Sequence, residues 1–203
     1  MQAVIFDIDG TLLRSADVDD ALYRESVRSV LGNVQFRQSL ADYDFVTDSG
    51  ILSQVLEDNR IPGKPDYLAS IKASFVEALR RHFQRHGAFA EIPGAKALLA
   101  SLRNSGRHRV AIATGGWRES ALLKLEHSGF DLDGVPVASS NDSHDRTQIM
   151  QIALSHIGDR FESVTYYGDG AWDRKACQTL GWQFEAVGSA LGGMESFTGV
   201  VIA

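Results

Sequence analysis

Two aspartates, Asp7 and Asp9, follow a short apolar run at residues 3–6 and are themselves followed by Gly10. Because alternate residues of an extended chain point to the same side, we expect both carboxyl groups on one side of the chain. One carboxylate can attack phosphorus as a covalent nucleophile, and a second can carry protons to and from the reacting oxygens. The pair therefore predicts a nucleophile at Asp7 and a general acid–base at Asp9.

The end of a second apolar run, residues 110–113, carries hydrogen-bond donors. Thr114 has a hydroxyl group, and Gly115 offers a backbone amide that no side chain shields. Donors fixed in place stabilise the charge that develops on a transferring group. We therefore expect Thr114 and Gly115 to bind the oxygens of a phosphate.

A third apolar run, residues 163–167, comes just before Asp169, and Asp173 follows four residues later. Magnesium prefers hard oxygen ligands, so Asp7, the backbone carbonyl of Asp9, and Asp169 predict a Mg²⁺ site. A metal there would neutralise phosphate charge and let an anionic nucleophile approach.

The elements that must position these residues are strands and helices in alternation. Short apolar runs without strict alternation are typical of parallel strands covered on both faces. Apolar residues at helical spacing, ended by a glycine, indicate the helices between them. The pattern predicts an α/β fold with a doubly wound, Rossmann-like parallel sheet, in which ligands bind beyond the carboxyl ends of the strands. The predicted helices contain residues 95–102, 122–125, 149–156 and 172–180.

Residues 16–87 have a different pattern. Apolar residues recur at helical spacing in residues 23–31 and 68–83, and Pro65 suits the start of a helix. The segment has no clear strand pattern. We interpret residues 16–87 as a helical insertion, with residues 1–15 and 88–203 forming the α/β core.

The composition is that of an ordinary globular protein, with 203 residues, 44% of them hydrophobic, and a formal net charge of −6. The negative charge argues against a nucleic-acid partner, because such binding rests on clustered Lys and Arg. No stretch approaches the length of a membrane helix, and the first residues lack a secretory leader. A single cysteine, Cys177, excludes an internal disulfide. We therefore expect a cytoplasmic enzyme or binding protein, and its oligomeric state is open between monomer and dimer.

Three segments together resemble the motifs of the haloacid dehalogenase (HAD) superfamily of phosphohydrolases. Residues 7–12 (DIDGTL) look like the first motif, residues 114–116 (TGG) like the second, and residues 168–173 (GDGAWD) like the fourth. The helical insertion is similar to the C1-type cap of phosphoglycolate phosphatase-like members. The resemblance implies a Mg²⁺-dependent phosphatase that forms an aspartyl-phosphate on a small phosphorylated substrate.

The third motif departs from the family pattern. The family has a lysine there, whereas this sequence has none between Lys124 and Lys175. Arg146, which opens a predicted helix, stands where that lysine is expected. Arginine keeps the positive charge and can hold phosphate oxygens in bidentate fashion. We therefore expect Arg146 to bind the phosphate. By the same resemblance, Asp173 is expected to support the site, either by holding the water shell of the metal or by pairing with Arg146.

Two alternative functions stay open at this point. A sugar phosphomutase or phosphotransferase would use the same aspartyl-phosphate, and a catalytically silent relative would act in regulation. Asp9 favours phosphate-ester chemistry, because the dehalogenases of this superfamily lack the second aspartate. Thr11 favours hydrolysis, because the phosphomutases tend to have valine after the glycine. The missing lysine is the only support for a silent relative.

Overall fold

Five parallel strands form the central sheet of the computed structural model, which describes residues 1–200. The strand order across the sheet is β3-β2-β1-β4-β5, which confirms the predicted α/β fold with a parallel sheet. The bounds are β1 (Gln2–Phe6), β2 (His108–Ala113), β3 (Val137–Ala138), β4 (Val164–Gly168) and β5 (Gln183–Ala186).

Strand β1 lies in the middle of the sheet. Its residue Val4 pairs with Val110 of β2 on one side and with Thr165 of β4 on the other. The strand order reverses around β1, which is where open α/β sheets bind their ligands. The residues that follow β1, β2 and β4 therefore meet at one edge of the sheet.

Seven α-helices account for about half of the described residues outside the sheet. Helices α1 (Ala16–Leu31), α2 (Asp48–Asp58) and α3 (Pro65–His86) come between β1 and β2 in sequence. We call residues 16–87 the helical segment. The other helices are α4 (Ala95–Asn104), α5 (Arg118–His127), α6 (Arg146–Ser155) and α7 (Ala171–Leu180). None of the helices within residues 1–200 combines the length and apolar character that crossing a membrane requires.

The core is divided by the sheet, since successive side chains of a strand point to opposite faces. Val4 and Phe6 belong to the larger apolar cluster, which also takes in the helical segment. Ile5 belongs to a second cluster on the other face, with Tyr166 and Ile149. Burial on both faces explains why β1 reads as a continuous apolar run.

Three elements were absent from the sequence-based prediction. Strand β3 has only two residues, and the residues of β5 alternate between exposed and half-buried, so neither gives an apolar run. Helix α2 begins after Thr47, whose side chain accepts a hydrogen bond from the amide of Gly50 at 3.1 Å. The division into residues 1–15 with 88–203 and residues 16–87 stays a prediction, and residues 201–203 of that core lie outside the described residues.

Candidate active site

Asp7 is the first residue beyond β1, and its side chain is buried. Its backbone amide donates to the carbonyl of Tyr167 in β4 at 2.9 Å, which fixes the backbone between two strand ends. Only 5% of the residue is exposed. Burial raises the pKa of Asp7 well above its ordinary value, and the neighbouring carboxylates of Asp173 and Asp169 add to that rise. The positive charge of Arg146 lowers the pKa of Asp7 in part, against this rise.

Three carboxyl groups meet at this edge of the sheet. One oxygen from each of Asp7, Asp169 and Asp173 lies within 4.8 Å of the others. Burial, followed by the charge of Asp173, raises the pKa of Asp169 to about 7. Gly10 has a φ of 80°, and a β-carbon there would collide with the carboxylate of Asp169. Hard oxygen donors held this close together are a donor set that fits Mg²⁺.

Arg146 is the first residue of α6, and it reaches the same group of carboxylates. Its Nη1 atom lies 3.2 Å from Oδ1 of Asp173 and 3.4 Å from Oδ1 of Asp7. Its Nη2 atom donates to the carbonyl of Val46 at 3.2 Å. Burial alone would lower the pKa of Arg146, but the carboxylates raise it on balance. The arginine therefore stays charged beside Asp7, and it meets Asp173 as the sequence suggested.

The residues after β2 form the wall opposite β4. Thr114 is buried, and its hydroxyl oxygen accepts a hydrogen bond from the amide of Gly116 at 3.1 Å, which leaves the hydroxyl hydrogen to donate. A β-carbon on Gly115 would lie 2.7 Å from Nη2 of Arg146, so only glycine lets the guanidinium approach. Six of the seven predicted site residues line one cavity of about 150 Å³, namely Asp7, Asp9, Thr114, Gly115, Arg146 and Asp169. Asp173, the seventh, is fully buried beside them.

Lys124 is a site residue that sequence reasoning missed. It lies on α5 and is completely buried. Its Nζ atom is 2.7 Å from Oδ1 and 2.6 Å from Oδ2 of Asp9, and 2.6 Å from Oδ1 of Asp19. Burial alone would lower the pKa of Lys124, but Asp19 and Asp9 raise it on balance. The available signal was a charged residue between Ala121 and Leu125 on the buried face of α5.

Two acidic residues of the helical segment face the same cavity. Asp19 lies on α1 and Asp48 opens α2, and both line the cavity. Burial, followed by the charge of Asp9, raises the pKa of Asp19 to about 7. Burial, followed by the charge of Asp19, raises the pKa of Asp48 to about 8. The described cavity wall on this side is therefore acidic.

Hydrogen bonds tie the start of α2 to the loop after β2. The amide of Asp48 donates to the carbonyl of Gly115 at 2.8 Å, and the Asp48 carboxylate accepts from the amide of Trp117 at 2.8 Å. The Trp117 indole donates to the hydroxyl of Ser49 at 2.8 Å. The helical segment thus covers the site directly, because these contacts adjoin the predicted phosphate-binding residues.

Comparison with known proteins identifies the family. A family model for haloacid dehalogenase-like hydrolases matches residues 1–181. No curated protein matches the sequence. Among solved structures, a hydrolase from Pseudomonas syringae has a TM-score of 0.72 at 19% identity, covering 92% of this chain and 84% of the other.

Two further structures share the fold and carry more specific names. CbbY from Rhodobacter sphaeroides, a mutant in complex with xylulose-(1,5)bisphosphate, has a TM-score of 0.71 at 16% identity, covering 98% of this chain and 89% of the other. A β-phosphoglucomutase from Clostridium difficile has a TM-score of 0.70 at 15% identity, covering 92% and 84%. At such low identity these similarities establish the fold alone.

Proposed function

The chain belongs to the haloacid dehalogenase-like hydrolases, and from that membership we propose that it is a magnesium-dependent phosphatase. Its substrate is a small-molecule phosphate monoester, and its covalent intermediate is an aspartyl-phosphate on Asp7. One observation carries the proposal: a buried aspartate at the end of the central strand lies among two carboxylates, an arginine and a hydroxyl donor.

Asp7 acts as the nucleophile in this proposal. Its carboxylate oxygen attacks phosphorus, and the bond to the ester oxygen breaks as the bond to Asp7 forms. Burial raises the pKa of Asp7, and the charge of Arg146 acts against that rise. Arg146 lies 3.4 Å from Asp7, where it would also contact the oxygens of a bound phosphate.

The phosphate is oriented by donors from two strand ends. The hydroxyl of Thr114 and the amide of Gly115 supply hydrogen bonds on the side of β2. The guanidinium of Arg146 supplies them on the side of α6. Because these groups are fixed by the sheet and by buried contacts, they need no reorganisation as charge develops on the phosphoryl oxygens.

Asp9 performs the proton transfers. Its proton goes to the ester oxygen as that oxygen leaves, and the Asp9 carboxylate then takes a proton from the water that attacks the aspartyl-phosphate. The products are an alcohol, inorganic phosphate and the original Asp7 carboxylate. A cavity of about 150 Å³ fits a small leaving group.

Asp7, Asp169 and the backbone carbonyl of Asp9 are the proposed ligands of Mg²⁺. The carboxylate of Asp173 is close enough to join them or to hold the water shell of the metal. When bound, Mg²⁺ supplies positive charge that offsets the repulsion between the phosphate and the Asp7 carboxylate.

The test is phosphate release from p-nitrophenyl phosphate, measured with Mg²⁺ and with excess chelator. We expect release that requires Mg²⁺ and that Asp7→Asn abolishes while the circular dichroism spectrum is unchanged. Asp159→Asn is a matched control, because Asp159 is exposed and away from the site. An Asp7→Asn variant with the wild-type rate would refute the nucleophile assignment.

Product analysis then distinguishes hydrolysis from phosphoryl transfer. With a sugar phosphate as substrate, inorganic phosphate equal to the substrate consumed supports the phosphatase. An isomerised sugar phosphate without phosphate release would identify a mutase instead. A protein that binds inorganic phosphate but releases none from any ester would be a silent relative.

A further inference from the structure

We propose that Lys124 is a positioning residue for Asp9, the general acid–base of the proposed reaction. The inference rests on the proposed function and adds a residue that belongs to none of the HAD-like motifs. It also assigns a role to Asp19 of the helical segment, which shares the ammonium group of Lys124.

The contacts of Lys124 match the donors that it has. An ammonium group has three N–H donors and no acceptor. Nζ of Lys124 lies within 2.7 Å of three oxygens, two on Asp9 and one on Asp19. Because the lysine is fully buried, water does not compete for these contacts. The ammonium therefore holds both oxygens of the Asp9 carboxylate at once.

Ser15 adds a second restraint on Asp9. Its hydroxyl donates to Oδ1 of Asp9 at 2.5 Å, from the residue just before α1. Two donors on one carboxylate fix its rotation as well as its position. A general acid must lie within hydrogen-bond reach of the oxygen that it protonates, so a fixed orientation bears directly on the rate.

A simpler role for Lys124 is to tie α5 to the helical segment through Asp19. That role requires only the single contact to Asp19. It does not account for the two contacts to Asp9, whose side chain keeps 18% of its surface exposed toward the cavity. Lys124 thus contacts the carboxylate of Asp9 from the buried side, and the exposed part of that carboxylate faces the cavity.

The experiment compares two substrates that differ in their need for a general acid. Glycerol phosphate releases an alkoxide that must be protonated, whereas p-nitrophenyl phosphate releases a stable phenolate. The parameter is kcat/KM, which reports on steps up to the departure of the leaving group. We expect Lys124→Met to lower kcat/KM for glycerol phosphate by about 100-fold and for p-nitrophenyl phosphate by less than about threefold.

Two controls separate positioning from general damage. Lys72→Met removes another cation at the contact between α3 and α5, and it should leave the ratio of the two kcat/KM values unchanged. Inhibition by inorganic phosphate should change by less than about twofold in Lys124→Met, since the phosphate-binding residues are intact. If Lys124→Met does not fold, the double variant Lys124→Met/Asp19→Asn removes a buried carboxylate together with the cation and serves for the same comparison.

The outcomes distinguish the inference from the proposed function. A selective loss on glycerol phosphate supports the positioning role. An equal loss on both substrates, or no loss on either, overturns it and leaves the phosphatase assignment standing. A wild-type protein that hydrolyses neither substrate overturns the phosphatase assignment and, with it, the role of Lys124.

Discussion

Replacement of Arg146 tests the most unusual residue of the candidate site. Arg146→Met removes the guanidinium and leaves a shorter, unbranched apolar side chain. Arg146→Lys keeps the charge but replaces a planar group with a point charge. In the structure Nη1 of Arg146 lies 3.2 Å from Asp173 and 3.4 Å from Asp7, and Nη2 lies 3.2 Å from the carbonyl of Val46. These contacts come from two separate nitrogen atoms, whereas a lysine has only one.

The size of the effect follows from the hydrogen bonds that Arg146 would make to a phosphate bound in the proposed site. A hydrogen bond to a charged group contributes about 1.5–3 kcal/mol, and about 1.4 kcal/mol corresponds to a tenfold change. Arg146→Met removes a bidentate pair of such bonds, and it therefore lowers kcat/KM by roughly 10²- to 10⁴-fold. Arg146→Lys retains one of the two bonds, and it lowers kcat/KM by roughly 10- to 100-fold.

The assay is kcat/KM for p-nitrophenyl phosphate together with the inhibition constant of inorganic phosphate. Both should worsen in the order wild type, Arg146→Lys, Arg146→Met. Arg160→Met is the matched control, because Arg160 is exposed on a loop outside the site. An Arg146→Met variant that binds inorganic phosphate as tightly as the wild type would show that Arg146 does not contact the phosphate. Higher activity in Arg146→Lys than in the wild type would contradict the argument from geometry.

Two other predictions concern stability. Mg²⁺ should raise the melting temperature of the wild type but not of Asp169→Asn, because Asp169, Asp7 and Asp173 form the candidate metal group. The measurement is a thermal melt with and without Mg²⁺. Equal stabilisation of the two proteins would refute the assignment of the metal ligands. Burial raises the pKa of Asp48 to about 8 in the folded state. The protonated side chain therefore adds to the free energy of unfolding. This contribution is complete below the ordinary pKa of aspartate and is lost as the pH rises toward about 8. In urea unfolding, Asp48→Asn should therefore gain stability relative to the wild type between pH 5 and pH 8.5. The side-chain carbonyl of the asparagine still accepts from the backbone amide of Trp117, and it carries no charge. Parallel curves of unfolding free energy against pH for the two proteins would contradict the expectation.

The positions of Asp7, Thr114 and Asp169 were predictable because the signal for each is local. Each follows a strand that is buried on both faces, and such a strand reads as an apolar run that stops abruptly. The parallel sheet then places these three residues at one edge, whatever the length of chain between them. Arg146 was predictable for a related reason, because the start of α6 faces the same edge.

Lys124 and Asp19 were not predictable by the same reasoning. Lys124 is 115 residues from Asp9 and 105 residues from Asp19 in sequence, so their contact depends on how the helical segment meets α5. A lysine on a helix is normally exposed to solvent, so the residue type predicts exposure. The only sign that Lys124 is buried is its position between two apolar residues that are themselves buried. Strand β3 was missed because two residues are too few to produce a pattern.

Each of the two carboxylates that the proposed chemistry uses lies against a cation, with Arg146 beside Asp7 and Lys124 beside Asp9. Covering the site excludes water, but burial also raises the cost of each negative charge. Arg146 acts against the rise that burial causes in the pKa of Asp7, and each cation has a second acidic partner, Asp173 for Arg146 and Asp19 for Lys124. Because the nucleophile and the acid–base are charged in different steps, one cation between them would favour both charges at once. Separate cations let the charge on each carboxylate change independently, which suits the proposed two-step transfer through an aspartyl-phosphate.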